Sequence, residues 1–302
     1  RTTGFAFEPS WLAHQLNMLY IPYWFAASLQ RYTAHPFRFL RLSVENLLLG
    51  GGVIVLVLSK SRVGWLAFLL ILTLLLVKWT IALTRWIQTR ALGRLSVKPP
   101  WKGALKFSLS AGLTTAFLCA YLASAIGLIN LAGRYDQRLS RFFGRLEATD
   151  GFYQLTSRLA FAERAIYWGT GWEIFNDYPF LGVGLGNAGF FFPEKMPGFG
   201  NFLTEINDIL FRRSFIPNTK SIWSRLLAET GILGFAFFVV WLYTLWQSAR
   251  YVQANARPIL RTVGLMGTFV LLGLLIEGFS VDSFALPYLW FSLGLLSAAA
   301  SM

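Results

Sequence analysis

The chain has 302 residues, of which 55% are hydrophobic, 17% aromatic and only 14% charged, and it carries a formal net charge of +13. Soluble domains hold about 25% charged residues, so this composition cannot clothe a water-facing surface and excludes an ordinary soluble enzyme or binding domain. Several apolar stretches reach the roughly 20 residues that cross a bilayer core, and the chain reads as an integral membrane protein.

In chain order, apolar runs predict seven spans at roughly 11–28, 46–59, 64–83, 107–132, 231–248, 259–277 and 283–301. The fold class expected is an all-α polytopic helix bundle. The first span is interrupted by His14, Gln15 and Asn17, and the fourth is rich in Gly, Ala and Ser, which lets helix backbones approach closely. Residues 1–132 then hold four spans and 231–302 three. Between them, residues 133–230 form one large loop without a span, too long to be an idle connector.

Charge sets the orientation. Arg31, Arg38 and Arg41 follow the first span, Arg85, Arg90, Arg94, Lys98, Lys102 and Lys106 the third, and Arg250, Arg257 and Arg261 the fifth, against Glu45 as the one acid. Cytoplasmic loops carry such an excess, so these three loops face the cytosol. Residues 1–10, the turn "SKSRVG" and the long loop then face outward, away from the cytosol. Residues 133–230 hold 11 basic and 10 acidic residues, so the excess charge is a topology signal and no nucleic-acid partner is expected. The start at Arg1, ten residues before a span, is that expected of a piece of a longer protein. Cys119, alone, can form no intrachain disulfide.

Familiar chemistry is missing. Two His and one Cys, at 14, 35 and 119, do not have zinc-site spacing, and no metal or cofactor is expected. "GLGNAG" at 184–189 matches a dinucleotide fingerprint, but "FFFPEK" follows it, where Pro193 interrupts the helix that would cradle a pyrophosphate. Glycines there serve backbone bending instead. Arg134, Arg138, Arg141 and Arg145 make one basic stripe on a helix, suited to lying on the bilayer or to gathering an anionic lipid-linked substrate. Trp168, Trp172 and their aromatic neighbours then fall at helical spacing. Glu173 and Asp177, four apart, could be an acid/base pair or a solvated helix face.

Together, "ERAIYWGTGWEIFNDYPFLGVGLGN", "NTKSIWSRLLAETGILGF", "RTTGFAFEPSWLA" and "LSKSRVGWLAF" resemble the signature of the O-antigen ligase and O-antigen polymerase superfamily. Each motif alone is weak; the four occur in family order and face outward by the independent charge argument. The resemblance implies a GT-C-like membrane glycosyltransferase that takes a glycan from a polyprenyl (undecaprenyl) diphosphate carrier and joins it to a sugar or lipid-linked acceptor, without metal. It matches Arg1, Arg62 and Arg164 to the family's arginine positions, with Arg225 on the same face. Guanidinium groups suit a diphosphate leaving group, and Trp168, Trp172 and Asn218 join the substrate-binding candidates. One departure stands out: Lys220 in "NTKS" occupies the place where ligases carry a His. An ammonium, with an ordinary pKa of about 10.4, is a poor base and a good phosphate clamp. Lys220 therefore reads as a clamp, with Glu229, Asp177 or Glu173 as the base, and a polymerase is favoured over a lipopolysaccharide ligase. A membrane-edge lysine without chemistry, a non-catalytic scaffold and a lipid-linked glycan transporter are the alternatives.

The topology is directly testable. Cysteines introduced at Asp150 and Gly200 should react with an impermeant thiol reagent from outside, and one at Ser96 should not. Labelling at Ser96 alone would invert the assignment.

Overall fold

The computed structural model describes residues 6, 8–94, 108, 111–121, 123, 162–212 and 216–302. Arg1, the arginine stripe at 134–145 and most of the fourth expected span lie outside the described residues. The described residues are mostly helical. They divide into two compact units, one formed by residues up to 71 and from 163 onward, the other by residues 72–162.

In the first unit, α1 (Pro9–Gln15) runs through a π-helical turn (Leu16–Tyr20) into α2 (Ile21–Gln30). A two-residue hairpin follows, with β1 (Arg38–Phe39) antiparallel to β2 (Leu42–Ser43). Its central residues Leu40 and Arg41 both have positive φ, as a turn matching the strand twist requires. Ser43 then caps α3 (Val44–Ser59) by accepting from the Asn46 amide. Next, α4 (Arg62–Arg94) begins in this unit and continues into the second, where Thr73 and Tyr121 of α5 (Ala111–Tyr121) pair through their hydroxyls.

The first unit resumes with α6 (Ala162–Asp177), a glycine-rich loop, and the short helices α7 (Phe192–Lys195) and α8 (Thr204–Asn207). It ends with α9 (Ile222–Gln253), α10 (Pro258–Glu277) and α11 (Pro287–Ala300). Among the described residues, three helices are long and apolar enough to cross a membrane: Arg62–Trp86 of α4, Ile222–Gln253 and Pro258–Glu277. Val44–Ser59, Ala111–Tyr121 and Pro287–Ala300 are shorter apolar helices. Leu66, Val77, Trp79, Phe237, Val240 and Phe291 stay exposed on their outer faces, a pattern that lipid tolerates and water does not. The most enclosed of the three is α10, where a Cβ on Gly264 would meet the Gln253 amide of α9 at 2.7 Å and one on Gly267 would meet Leu296 of α11 at 2.7 Å. Small residues here are what allow the helices to touch.

The helix α9 is two helices joined at Gly231, whose φ of 61° and ψ of −166° are not helical and are accessible essentially to glycine alone. The break frees backbone groups that need partners, and the loop after α6 supplies them. Amides of Val183 and Gly184 donate to the carbonyls of Ala228 and Glu229, and those of Ile232 and Leu233 donate to the carbonyls of Pro179 and Phe180. The approach is so close that a Cβ on Gly182 would lie 2.4 Å from the Glu229 carbonyl carbon, and one on Gly231 would lie 2.3 Å from the Phe180 oxygen. The glycine run therefore splices a loop onto a broken helix, and of the dinucleotide-type glycines 184, 186 and 189 only Gly184 takes part in that splice.

This splice predicts a graded effect. Gly231→Ala and Gly182→Ala should each destabilise the folded protein by about 3 kcal/mol through strain and overlap, measured by denaturation in detergent. Gly186→Ala has positive φ but open space around its Cβ, so it should lose distinctly less; equal losses would refute the splice.

Candidate active site

The N-terminal end of α9 starts from a turn in which each residue of "NTKS" has a task. The Asn218 side chain accepts from the Lys220 amide at 3.0 Å, and Thr219 Oγ1 donates to the Ser221 carbonyl at 3.0 Å. Lys220 takes a φ of 53°, a left-handed conformation uncommon outside glycine, and Ser221 caps the helix by accepting from the Ser224 amide. The chain reverses at Lys220 and points its ammonium at two groups. Asp282 Oδ2 lies 3.4 Å away, and the Tyr167 ring of α6 has its centroid at 5.9 Å, near the outer limit of a cation–π contact.

Arg164 ties this turn to the segment after α10. Its Nη1 donates to the carbonyls of Lys220 (3.2 Å) and Phe279 (3.3 Å), and its Nη2 donates to Ser280 Oγ at 3.0 Å. A guanidinium carries five N–H donors, and these three bonds account for three of them among the described residues. Burial lowers its pKa from the ordinary arginine value, with Asp282 and Glu205 opposing and Arg62 adding to the shift. Arg62 is thus within electrostatic reach of Arg164, although 102 positions separate them. An arginine stays cationic at neutral pH under such a shift. Tyr167 donates to Glu205 Oε1 at 3.1 Å; burial first, then the Glu205 carboxylate, pushes its pKa well up, so the phenol keeps its proton.

Arg225 completes the cationic face one turn along α9. Its Nε donates to Glu229 Oε2 at 3.0 Å and its Nη1 to the Asp282 carbonyl at 2.6 Å. Glu229 is 2% exposed and sits behind Arg225. Asp177 is placed differently: Lys195 Nζ lies 2.6 Å from its carboxylate and 3.1 Å from that of Glu194. The hydrogen bond to Asp177, then that to Glu194, pushes the Lys195 ammonium up to about 12. Trp168 packs on Phe279 at 5.5 Å between ring centroids, and its carbonyl accepts from Ser224 Oγ. Trp172 is exposed and packs at a tilt against Phe175. Glu173 is likewise exposed.

Structure therefore brings Arg62, Arg164, Lys220, Arg225 and Glu229 into one neighbourhood, with Asn218 turning Lys220 and Trp168 packed alongside. Asp177 and Trp172 have their described contacts elsewhere. The sequence reading missed Asp282, Ser280 and Glu205. Asp282 carried a usable signal, as an acid in the turn between the last two spans, on the side the charge rule had already assigned to the loop.

No curated protein sequence matches the chain closely enough to count as a relative. The sequence pattern of the O-Antigen ligase family matches residues 47–239, well over half of the chain. That stretch takes in Arg62, Arg164, Lys220, Arg225 and Glu229 and leaves out residues 1–46. The apolar helices and this match together make the protein an integral membrane protein, and the chain belongs to the O-Antigen ligase family.

Proposed function

We propose that the protein is a membrane glycosyltransferase that moves a glycan from a polyprenyl (undecaprenyl) diphosphate carrier to a sugar acceptor in surface polysaccharide synthesis. The carrying observation is the grouping of Arg62, Arg164, Lys220 and Arg225 from separate parts of the chain, interleaved with Asp282 and Glu229. A diphosphate leaving group gains negative charge as the anomeric C–O bond breaks, and preorganised cations stabilise that charge. In this reading the bond to the acceptor oxygen forms as the carrier diphosphate departs with the bonding electrons, and the acceptor proton passes to a carboxylate. Asp282, partly exposed among the cations beside the Lys220 ammonium, is better placed to take that proton than Asp177, whose described contacts lie elsewhere with Lys195, or Glu229, which is buried behind Arg225. Metal is not required by this scheme, since the guanidinium and ammonium groups carry the phosphate charge.

Lys220 in place of the family's His favours repeated transfer onto a growing glycan over single transfer to lipopolysaccharide. The long outward segment, 133–230, and the flanking helices 1–132 and 231–302 form one membrane domain, with the site on the periplasmic face of the inner membrane in a GT-C-like bundle. The arginine stripe at 134–145 would gather the anionic carrier.

Reconstitution of the full-length protein in vesicles with a lipid-linked glycan donor tests this reading. A ladder of product lengths supports a polymerase, and a single addition to a lipid A core supports a ligase. Movement of the donor across the bilayer without a covalent product would favour a transporter, and neither product nor movement would favour a scaffold.

Lys220 tests the mechanism. Lys220→Arg should retain substantial transfer, whereas Lys220→Gln should fall by about 100-fold or more through lost leaving-group stabilisation. An Arg variant as inactive as the Gln variant would make Lys220 a base, and an active Gln variant would remove it from the chemistry. Arg164→Lys keeps the charge and loses the planar fork, so transfer should drop sharply. Since the fork also holds the Lys220 turn, this measurement is read per folded molecule.

A further inference from the structure

The polar residues that interrupt the first helical run are gathered around one buried acid. His14 Nδ1 lies 2.5 Å from Glu277 Oε2, and Asn17 Nδ2 donates to Glu277 Oε1 at 2.6 Å and to the Gly64 carbonyl at 2.8 Å. His14 is 2% exposed, and Asn17 and Glu277 are 0% exposed. Two acceptors around Nδ2 fix the amide's orientation and turn Asn17 Oδ1 away; that oxygen is buried with no hydrogen-bond partner among the described residues. Ionisable and amide groups enclosed among membrane helices are costly and tend to be held for a functional reason. An unsatisfied amide oxygen adds to that cost.

The geometry supports this cost locally. Asn17 lies in the π-helical turn Leu16–Tyr20, a rare form concentrated at functional positions. Ser292 of α11 donates to the Met18 carbonyl at 2.7 Å, satisfying an acceptor in the turn. A Cβ on Gly64 would lie 2.7 Å from that of Ala13, so α1 and the start of α4 are in direct contact there.

The network touches two places that matter to the site. Gly64 is two residues after Arg62, in the first turn of α4. Glu277 ends α10 and directly precedes the segment that organises the cations: the Gly278 carbonyl accepts from the Ile222 amide and Ser221 Oγ, the Phe279 carbonyl and Ser280 accept from Arg164, and Asp282 meets Lys220 and Arg225. We propose that His14, Asn17 and Glu277 form a positioning network that sets the separation of Arg62 from the Arg164–Lys220 pair, and thereby the span of phosphate oxygens these cations grip together. This rests on the proposed function for its chemistry, though not for its geometry.

The test uses the full chain in detergent and in vesicles, with Cys119→Ser as background. Spin labels at Lys60→Cys and Ala285→Cys, both exposed, report the separation of the two segments without reference to activity. Binding of inorganic pyrophosphate and transfer from a lipid-linked glycan are measured per folded, monodisperse molecule. Removing one member of a buried pair can prevent folding, so Glu277→Ala is accompanied by His14→Leu/Glu277→Leu, which removes both partners and is much better tolerated, and by Glu277→Gln, which keeps an acceptor for Asn17.

The double variant should fold, show a shifted or broadened label distance, and lose kcat on the order of 100-fold, as a misplacement of about 1 Å can. Glu277→Gln should recover much of that loss, and Arg62→Ala should cost less in the double variant than in the parent. Folded variants with the parental distance distribution, or a loss confined to folded yield, would overturn the proposal. If the parent neither binds pyrophosphate nor transfers glycan, the proposed function fails, and the label distance alone decides the network.

Discussion

A guanidinium drawn into the protein is tolerable where carbonyls and hydroxyls surround it, and Arg164 meets that condition by drawing on two segments remote from its own helix. The carbonyls of Lys220 and Phe279 and the hydroxyl of Ser280 converge on it. Those acceptors are the backbone of the turn that presents Lys220 and of the turn that presents Asp282. The charge that would hold a substrate is therefore also the bond that fixes its neighbours. A substitution at Arg164 acts on the site twice, once through lost donors and once through a loosened scaffold.

A second constraint supports the first. Breaking α9 at Gly231 lets the short helix 222–230, which carries Arg225 and Glu229, take a direction independent of the apolar helix that follows it. The freed backbone groups are met by residues 179–184, so the loop after the Arg164 helix is anchored to the helix after Lys220. Helix breaks at membrane depth are tolerated where surrounding protein satisfies the backbone, and glycine on both sides allows the two backbones to come close enough. Arg164, Lys220 and Arg225 thus come together through backbone hydrogen bonds, side-chain caps and a buried apolar cluster in which Ile166, Tyr167 and Ile174 of α6 join Phe192, Ile206 and Ala228.

Beneath this layer, the His14–Asn17–Glu277 cluster joins the first helical run to the end of α10. Its members interrupt an otherwise apolar stretch and sit at a helix terminus, where each alone looks like a local imperfection. Taken together they exchange hydrogen bonds, which offsets part of the desolvation cost that burial imposes. The same buried groups lie directly under Gly278 and close to Arg62.

Sequence alone determined the membrane character, the helical positions and the family, because hydropathy and motif order are local properties that survive without coordinates. The expected start of the fifth span at 231 even coincides with the break at Gly231, since the change from charged to apolar residues marks the same boundary. Arg62, Arg164 and Arg225 were singled out by family motif and charge, and the structure brings them near one another. Tertiary structure alone decided which carboxylates lie beside which cations. It engaged Asp177 with Lys195, set Glu229 behind Arg225 and brought Asp282 to Lys220, a pair separated by 62 positions. It also joined His14 to Glu277 across 263 positions and turned the chain left-handed at Lys220. The physical reason is common to all of these: a hydrogen bond or ion pair needs two groups within a few ångströms, and the chain's order in sequence does not carry that distance until the helices have packed.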